Sequence, residues 1–429
     1  MAMVDRVLRL LDQNTTRSAV IKTGADWDSA FDRGDPTITI QKFLRMDLRP
    51  SLFPLLADFL SGRRCTVRYN SAESSLIDLV SGFPQGSLIG QDAYLVASDD
   101  CADQIDQEDK YRYVDDLEIL ELIRLTGILI DYDTQSHVPS DIGPHQKFLP
   151  PDSFQTQSYL DSISDWTNTS LMKLNPSKSS YMVFSRSQEV FATRLMLNSK
   201  TLEQKSVCKI LGVWIEEDAG SWQKNTSELC KSAYSRISML TKLKYVGVSR
   251  KDLIDIYKLF VRSRAEYCSV AFHSSLTQEQ SRKIENIQKT CLKIILQDEY
   301  QDYESACQYF NISSLLQRRE DRSLIFARRC LDNKEMSRFF PQVPILPQQV
   351  LRAPDKCVVN FAHGTKYQNS AIVHCQKQLN EFTRTQSSAN RAKENEREAR
   401  WREWMTDLDE RLRRRRETQA CQGDREGEG

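Results

Sequence analysis

The stretch KYRYVDDLEI, residues 110 to 119, decides the fold of this 429-residue chain. Tyr111, Tyr113, Val114, Leu117, Ile119 and the following Leu120 favour strands or a buried core, and they surround two adjacent carboxylates, Asp115 and Asp116. β-Branched and aromatic residues suit a pleated, half-buried surface, so the stretch predicts two short strands joined at an Asp-Asp turn. Aspartate is frequent in turns because its carboxylate bonds nearby backbone N–H groups. Taken alone, the stretch therefore fits either an ordinary hairpin or one that displays two acids.

The second choice requires partners elsewhere in the chain. Two-metal nucleotidyl transfer needs carboxylates from separate segments, converging where two Mg2+ ions activate a 3′-hydroxyl and stabilise the leaving pyrophosphate. Upstream, GADWDSAFDRGDP supplies Asp26 at the end of the strand-like run SAVIKTGA, followed by Phe31 and Asp32. Between them lies GFPQGSLIG, residues 82 to 90, whose glycines permit close backbone approach to a ligand and whose Ser87 suits a helix start. Each segment is weak by itself. The ordered set Asp-x-x-x-Ala-Phe-Asp, Gly-x-Pro-Gln-Gly-Ser, Tyr-x-Asp-Asp is highly specific, because no turn or packing rule requires that combination.

With these motifs in this order, the chain resembles a reverse transcriptase of the non-LTR retrotransposon kind. LMKLNPSKSSYMVFS, residues 171 to 185, resembles that family's Asn-x-x-Lys segment, and CKILGVWIEED, residues 208 to 218, resembles its Leu-Gly-Val primer-grip segment. The resemblance covers roughly residues 15 to 300, and the helical region after Trp222 is similar to the family's thumb. It implies an α+β fold, a right-hand polymerase palm with an antiparallel sheet and packed helices, followed by a helical thumb. The implied activity is that of an RNA-directed DNA polymerase, with an RNA template, a DNA primer and deoxynucleoside triphosphates as partners and Mg2+ as cofactor.

Carried over residue by residue, the resemblance implies that Asp26 and Asp115 hold the Mg2+ ions, with Asp116 as the third acid of the site. Phe31 matches the aromatic side chain that stacks under the sugar and blocks a 2′-hydroxyl, although an ordinary core Phe also fits. Gln85 and Gly86 match the segment packed against nucleotide and template. Lys178 matches a proton donor to pyrophosphate, where an exposed surface lysine also fits. The chain departs from the family pattern at Gln91, usually Pro, and at Asp28, often Ser. Only 25 residues precede Asp26, where relatives carry an extensive fingers region, so a palm and thumb without most of the fingers is expected. A nucleic-acid-binding remnant that has lost synthesis and a protein-interaction module are the rival readings.

Composition narrows the class. Forty per cent apolar residues fill real cores, and no apolar run approaches the roughly 20 residues that cross a bilayer. Eleven cysteines, scattered singly with no C-x-x-C pair, argue against a disulfide framework or a standard zinc module, and an intracellular protein is expected. The net charge of zero conceals an asymmetry. Residues 1 to 130 carry 14 Lys/Arg against 21 Asp/Glu, whereas residues 173 to 293 carry 21 against 11. An acidic half suits cations and a basic half suits phosphates, although both also fit solvated surface.

Along the chain, SAVIKTGADW, RCTVRYNSA, DAYLVAS and YRYVDDLEIL predict strands, and PTITIQKFLRMDLRPSLFPLLADFLSGR predicts helix. Residues 133 to 153 read as a long loop, and strands return at YMVFS and KILGVWI. Ser249 with Asp252, and Thr277 with Gln280, fit helix starts. Behind them the stripes Leu253, Ile256, Tyr257, Phe260 and Ile284, Ile287, Cys291, Ile294 predict buried helix faces. The expected domains are a palm with truncated fingers over 1–220, a helical thumb and extension over 221–340, a Pro-rich arm over 341–382 and a charged, partly helical or disordered tail over 383–429. The tail's run Arg413 to Arg416 fits nucleic-acid binding, nuclear import or plain solvation.

Overall fold

The computed structural model describes residues 1–14, 18–46, 48–124, 147–148, 155–185, 190–191, 194–342 and 357–387. The expected loop at 133–153 lies outside these apart from Lys147–Phe148, as do the three prolines after Pro341 and the chain beyond Ser387. Two compact units emerge, Met1–Arg318 with Ala362–Ala371, and Arg319–Phe361 with the chain from Ile372. The expected segment 1–220 thus shares the first unit with residues 221–318 of the expected 221–340 segment, whose remainder falls in the second.

That unit is built on a mixed α+β plan. Five strands carry the site: β1 (Ser18–Ala25), β2 (Lys110–Tyr113), β3 (Asp116–Arg124), β4 (Ser180–Ser185) and β5 (Glu203–Gln204). They form one sheet in the order β5-β4-β1-β3-β2, antiparallel except where β5 joins β4. Side chains alternate along a strand, so the register assigns every residue to a face. One face, with Ala19, Ile21, Ala25, Leu117, Ile119, Ile123, Tyr181 and Val183, is buried in a core shared with Phe43, Tyr94, Leu160 and Ile163. Each such Ile or Leu contributes roughly 1.5–3 kcal/mol by leaving water. On the opposite face Val20, Leu120, Met182 and Phe184 are also buried. Towards the other end of that face the pattern changes to Lys22, Gly24, Asp116, Glu118 and Ser180.

Two expectations about these elements change. DAYLVAS is not a strand but belongs to the helix Leu88–Ala97. A short apolar run does not by itself distinguish the two, and the cap decides: the Ser87 hydroxyl accepts from the Gly90 N–H at 3.0 Å, and Ala93, Tyr94, Val96 and Ala97 are then buried at helical spacing. The long helical run after Asp35 divides into Pro36–Leu44 and Phe53–Leu60, since Pro50 and Pro54 start new turns. Asp35 caps the first of these by accepting from Thr37 N at 2.6 Å.

After Trp222 the unit is helical. Gln223–Tyr245, Arg250–Ile256 and Gln278–Leu296 enclose a core that includes Leu229, Ile237, Leu253, Tyr257, Ile284, Ile287 and Cys291. The predicted capping box is present, with Thr277 N donating to Gln280 Oε1 at 2.8 Å and Gln280 N to Thr277 Oγ1 at 3.2 Å. Of the predicted stripes, Ile256 and Ile294 are only partly buried and Phe260 is exposed. Tyr257–Arg262 winds as a π-helix, whose wider turn shifts the inward face by one position, so Val261 is buried and Phe260 is 38% exposed.

Residues 362–371 complete this unit against its first helix, Ala2–Gln13. The Asp12 carboxylate accepts from His363 N and Gly364 N, each at 2.7 Å, and Asp5 accepts from the Ser370 hydroxyl at 2.8 Å. Burial raises the Asp5 pKa to about 6.

The second unit takes residues 372–387 of the helix Ala371–Ser387, a stretch expected to divide between arm and tail. Its polar side chains satisfy irregular backbone: Asn380 Nδ2 donates to Cys357 O at 2.8 Å, and Gln376 Nε2 donates to Phe339 O at 2.8 Å. Among the described residues no helix is long and apolar enough to cross a membrane.

Candidate active site

Asp26 stands one residue beyond the last β1–β3 pair, Ala25↔Leu117, and Asp116 opens β3. The register therefore brings the two carboxylates to the same rim of the sheet. Both backbone groups of Asp26 are held by the turn in LNPSKSS. Asn175 N donates to Asp26 O at 2.8 Å, and Asp26 N donates to Ser179 Oγ at 3.0 Å. The turn is itself closed by Ser177 N donating to Asn175 Oδ1 at 3.1 Å and by Ser179 Oγ donating to Asn175 O at 2.9 Å.

The hairpin of YVDD differs from expectation in where it turns. Tyr113 pairs with Asp116, so Val114 and Asp115 form the two-residue loop rather than the two aspartates. Such loops match the strand twist only with left-handed backbone, and Val114 has φ 56°. For a β-branched residue this conformation stores on the order of 1–3 kcal/mol of strain. Arg112 stabilises it: its Nε donates to Val114 O at 3.3 Å, and the same guanidinium donates to Ser98 O and Oγ at the end of the helix Leu88–Ala97. The consequence is chemical. Adjacent aspartates receive different settings, Asp115 on the apex and Asp116 on the strand.

A cleft of about 440 Å³ opens on this face, lined by Asp26, Asp116, Glu118 and Ser180 on the sheet and by Lys22, Lys178, Lys205, Lys209, Cys208 and Trp214 around it. One wall is the hairpin β6 (Val207–Ile210) and β7 (Val213–Glu216). Its tip, Leu211 and Gly212, has φ 45° and 83°, and Tyr267 donates its hydroxyl to Leu211 O at 2.7 Å. The Trp214 ring has Lys209 Nζ at 5.6 Å and Lys224 Nζ at 5.3 Å from its centroid.

Electrostatics set the cleft apart. Burial raises the Asp26 pKa, Asp115 raises it further and Lys178 opposes both. Asp116 is raised by burial and by the charges of Asp115 and Asp26, with Lys22 opposing. Like charges held near one another disfavour ionisation, which adds to burial at both Asp26 and Asp116. Below them Lys22 Nζ lies 2.6 Å from Glu118 Oε2, both nearly buried. Burial raises the Glu118 pKa, against Lys22.

The structure joins Asp26, Asp116 and Lys178 in the cleft, whereas Asp115, Phe31, Gln85 and Gly86 are not among its lining. The last three share a neighbouring loop junction. Gln85 Nε2 donates to Asp32 Oδ1 at 2.8 Å, Phe83 N donates to Phe31 O at 2.6 Å, and the half-buried Phe31 ring stacks on Tyr94 at 4.8 Å. Gly86 has φ 81°, a conformation that glycine alone adopts readily. Among the described residues no three His, Cys, Asp or Glu side chains stand together as a group able to hold a metal ion. The donor set of carboxylates still suits a hard divalent cation, whose charge would offset their mutual repulsion. Lys22, Glu118 and Ser179 were not anticipated, and Asn175 was matched only as the first residue of the Asn-x-x-Lys segment, with no role of its own. Lys22 and Glu118 were legible as i−4 and i+2 neighbours of Asp26 and Asp116 on one strand face; that Asn175 clasps Asp26 follows from neither the Asn-x-x-Lys match nor the Asn-Pro turn signal.

No family profile and no curated protein matches the chain. Among solved structures it is similar to telomerase from Candida albicans in complex with a fragment of telomeric RNA, at 12% identity and a TM-score of 0.28, covering 73% of this chain and 52% of the other. The chain thus spans about half the length of that protein. A likeness this slight carries no argument about function.

Proposed function

We propose that this chain is the palm and thumb of an RNA-directed DNA polymerase of the non-LTR retrotransposon kind, adding deoxynucleotides to a primer 3′-end on an RNA template. The observation that supports it most is the convergence of three motif-bearing segments, the end of β1, the start of β3 and the turn of Asn175 to Lys178, on one charged cleft. In this reading Asp26, Asp115 and Asp116 would hold Mg2+. When bound, Mg2+ supplies activation of the primer hydroxyl and charge neutralisation at the leaving pyrophosphate. Lys178 stands beside Asp26 to give a proton to that leaving group. Phe31 excludes a 2′-hydroxyl, and Gln85 and Gly86 pack against nucleotide and template. The helices after Trp222 act as the thumb, and the lysines around the cleft attract phosphates.

Primer extension with an RNA template, a DNA primer, deoxynucleotides and Mg2+ tests the reading. Template-directed extension that disappears in Asp115→Asn supports it; extension that survives the substitution overturns the site assignment. The lysines that line the cleft, Lys22, Lys178, Lys205 and Lys209, also fit a second reading, a binding remnant. That reading predicts salt-sensitive binding to primer-template, from counterion release, with no extension.

A further inference from the structure

The first helix, Ala2–Gln13, buries two carboxylates under one late segment of the chain. Asp5 is 5% exposed and Asp12 is fully buried. Asp12 accepts the backbone N–H groups of His363 and Gly364, and Asp5 accepts the Ser370 hydroxyl. The segment has further fastenings: Asn369 O accepts from the hydroxyls of Ser274 and Ser275 at 2.7 Å each, Lys366 pairs with Asp218, and Tyr367 is buried. Residues 363–370 thus form a strap across the helix. The same helix is tied separately to the residues just before β2, since Arg6 pairs with Glu108 at 2.7 Å and with Asp109 at 2.9 Å. That tie does not involve the strap, so the strap can loosen without releasing the helix.

The two acids sit differently. Two N–H donors aimed at the Asp12 carboxylate suit a charge. Asp5 receives one hydroxyl from the strap, and the charges facing it are Arg9 on its own helix and the amino group at that helix's start. Cys268 is a further titratable group beside that amino group. Burial outweighs them all and raises the Asp5 pKa to about 6, against an ordinary 3.8. Once the strap lifts, Asp5 meets water and ionises readily. We propose that residues 363–370 are a clasp whose hold on the first helix follows the protonation of Asp5, tight in acid and looser at neutral pH. The sign follows from linkage: closure is fully favoured below the ordinary value and weakens as pH rises through about 6.

Hydrogen exchange of peptides covering residues 363–370, measured on the full chain from about pH 5 to about pH 7.5 and corrected for the intrinsic pH dependence of exchange, tests the clasp. Protection in the wild type is expected to fall about tenfold over that range. The same peptides should exchange faster than those of Gln223–Tyr245 at every pH, because the strap opens without global unfolding. Asp5→Asn, which cannot ionise, should hold protection within about twofold across the range. Asp12→Asn should lower protection at every pH and keep the slope, and His363→Gln, which retains the backbone donor to Asp12, should keep both. Strap exchange no faster than that of Gln223–Tyr245 would mean that the strap has no opening of its own and would overturn the inference. So would a flat wild-type profile, a slope that survives in Asp5→Asn, unchanged protection in Asp12→Asn or a slope lost in His363→Gln. If Asp5→Asn does not fold, the wild-type profile and His363→Gln decide.

Discussion

The two faces of the five-stranded sheet are made from the same strands and obey different rules. On one face Ile21, Leu117, Ile119 and Val183 meet apolar side chains from helices, and what matters there is volume. On the other, at the cleft end, Lys22 pairs with Glu118 over Gly24 beside Asp26 and Asp116, and what matters is identity: replacing an atom changes a charge, a donor or the room for a neighbour. Alternation along β1 and β3 assigns both roles within one short segment, so a residue and its sequence neighbour are subject to unlike constraints. The difference teaches that stability and chemistry divide by parity only at the cleft end of the sheet, since Val20, Leu120, Met182 and Phe184 continue the second face as buried core.

Substitutions can break that separation. The largest effect is expected for Asp115→Asn, which should reduce Mg2+-dependent primer extension about a thousandfold by removing transition-state charge stabilisation, while the melting temperature stays near wild type. A variant that melts early instead would show that the hairpin tip is structural. Ile119→Ala, one face away, should cost about 3 kcal/mol in urea unfolding through the cavity it leaves, with unchanged nucleic-acid affinity per folded molecule. Loss of affinity at full folding would show the faces to be coupled.

Asp5 sharpens the comparison, being a buried carboxylate outside the cleft. Its pKa is raised by burial to about 6 from an ordinary 3.8. The fold therefore prefers the protonated acid: its contribution is fully present below the unfolded value and is lost as pH rises through about 6. Asp5→Asn, which keeps an acceptor for Ser370, should stabilise the chain by about 2 kcal/mol at pH 7.5 and by little at pH 4. Unfolding curves for both proteins at the two pH values check this, and an advantage independent of pH would reject the burial account. The smallest effect is expected at Thr277→Ala, where loss of the cap bond to Gln280 N should cost about 1 kcal/mol and leave primer-template binding unchanged.

Much of the sheet was readable because its strands are strongly patterned. SAVIKTGA, YRYVDDLEIL and YMVFS became β1, β2–β3 and β4, and both helix starts at Ser249 and Thr277 formed as their side chains require. The misreadings share a cause, namely that local patterns leave a one-residue ambiguity. DAYLVAS satisfies strand or helix until the Ser87 cap is engaged, and Phe260 satisfies the buried stripe until the π-turn rotates Val261 inwards.

By itself the sequence determined which residues could do chemistry: the aspartates, Lys178 and the glycine-rich segment are set by residue type and order, which need no coordinates. Only the tertiary structure decided how they meet. Sheet register set Asp26 against Asp116, the left-handed Val114 separated Asp115 from Asp116, and the Asn175 turn clasped Asp26 from far along the chain. It also paired Lys22 with Glu118 across two strands that sequence alone does not align. The physical reason is that alternation and capping are local and follow from neighbouring residues, whereas register and ion pairing depend on which strands lie side by side. That choice is made by the whole core at once.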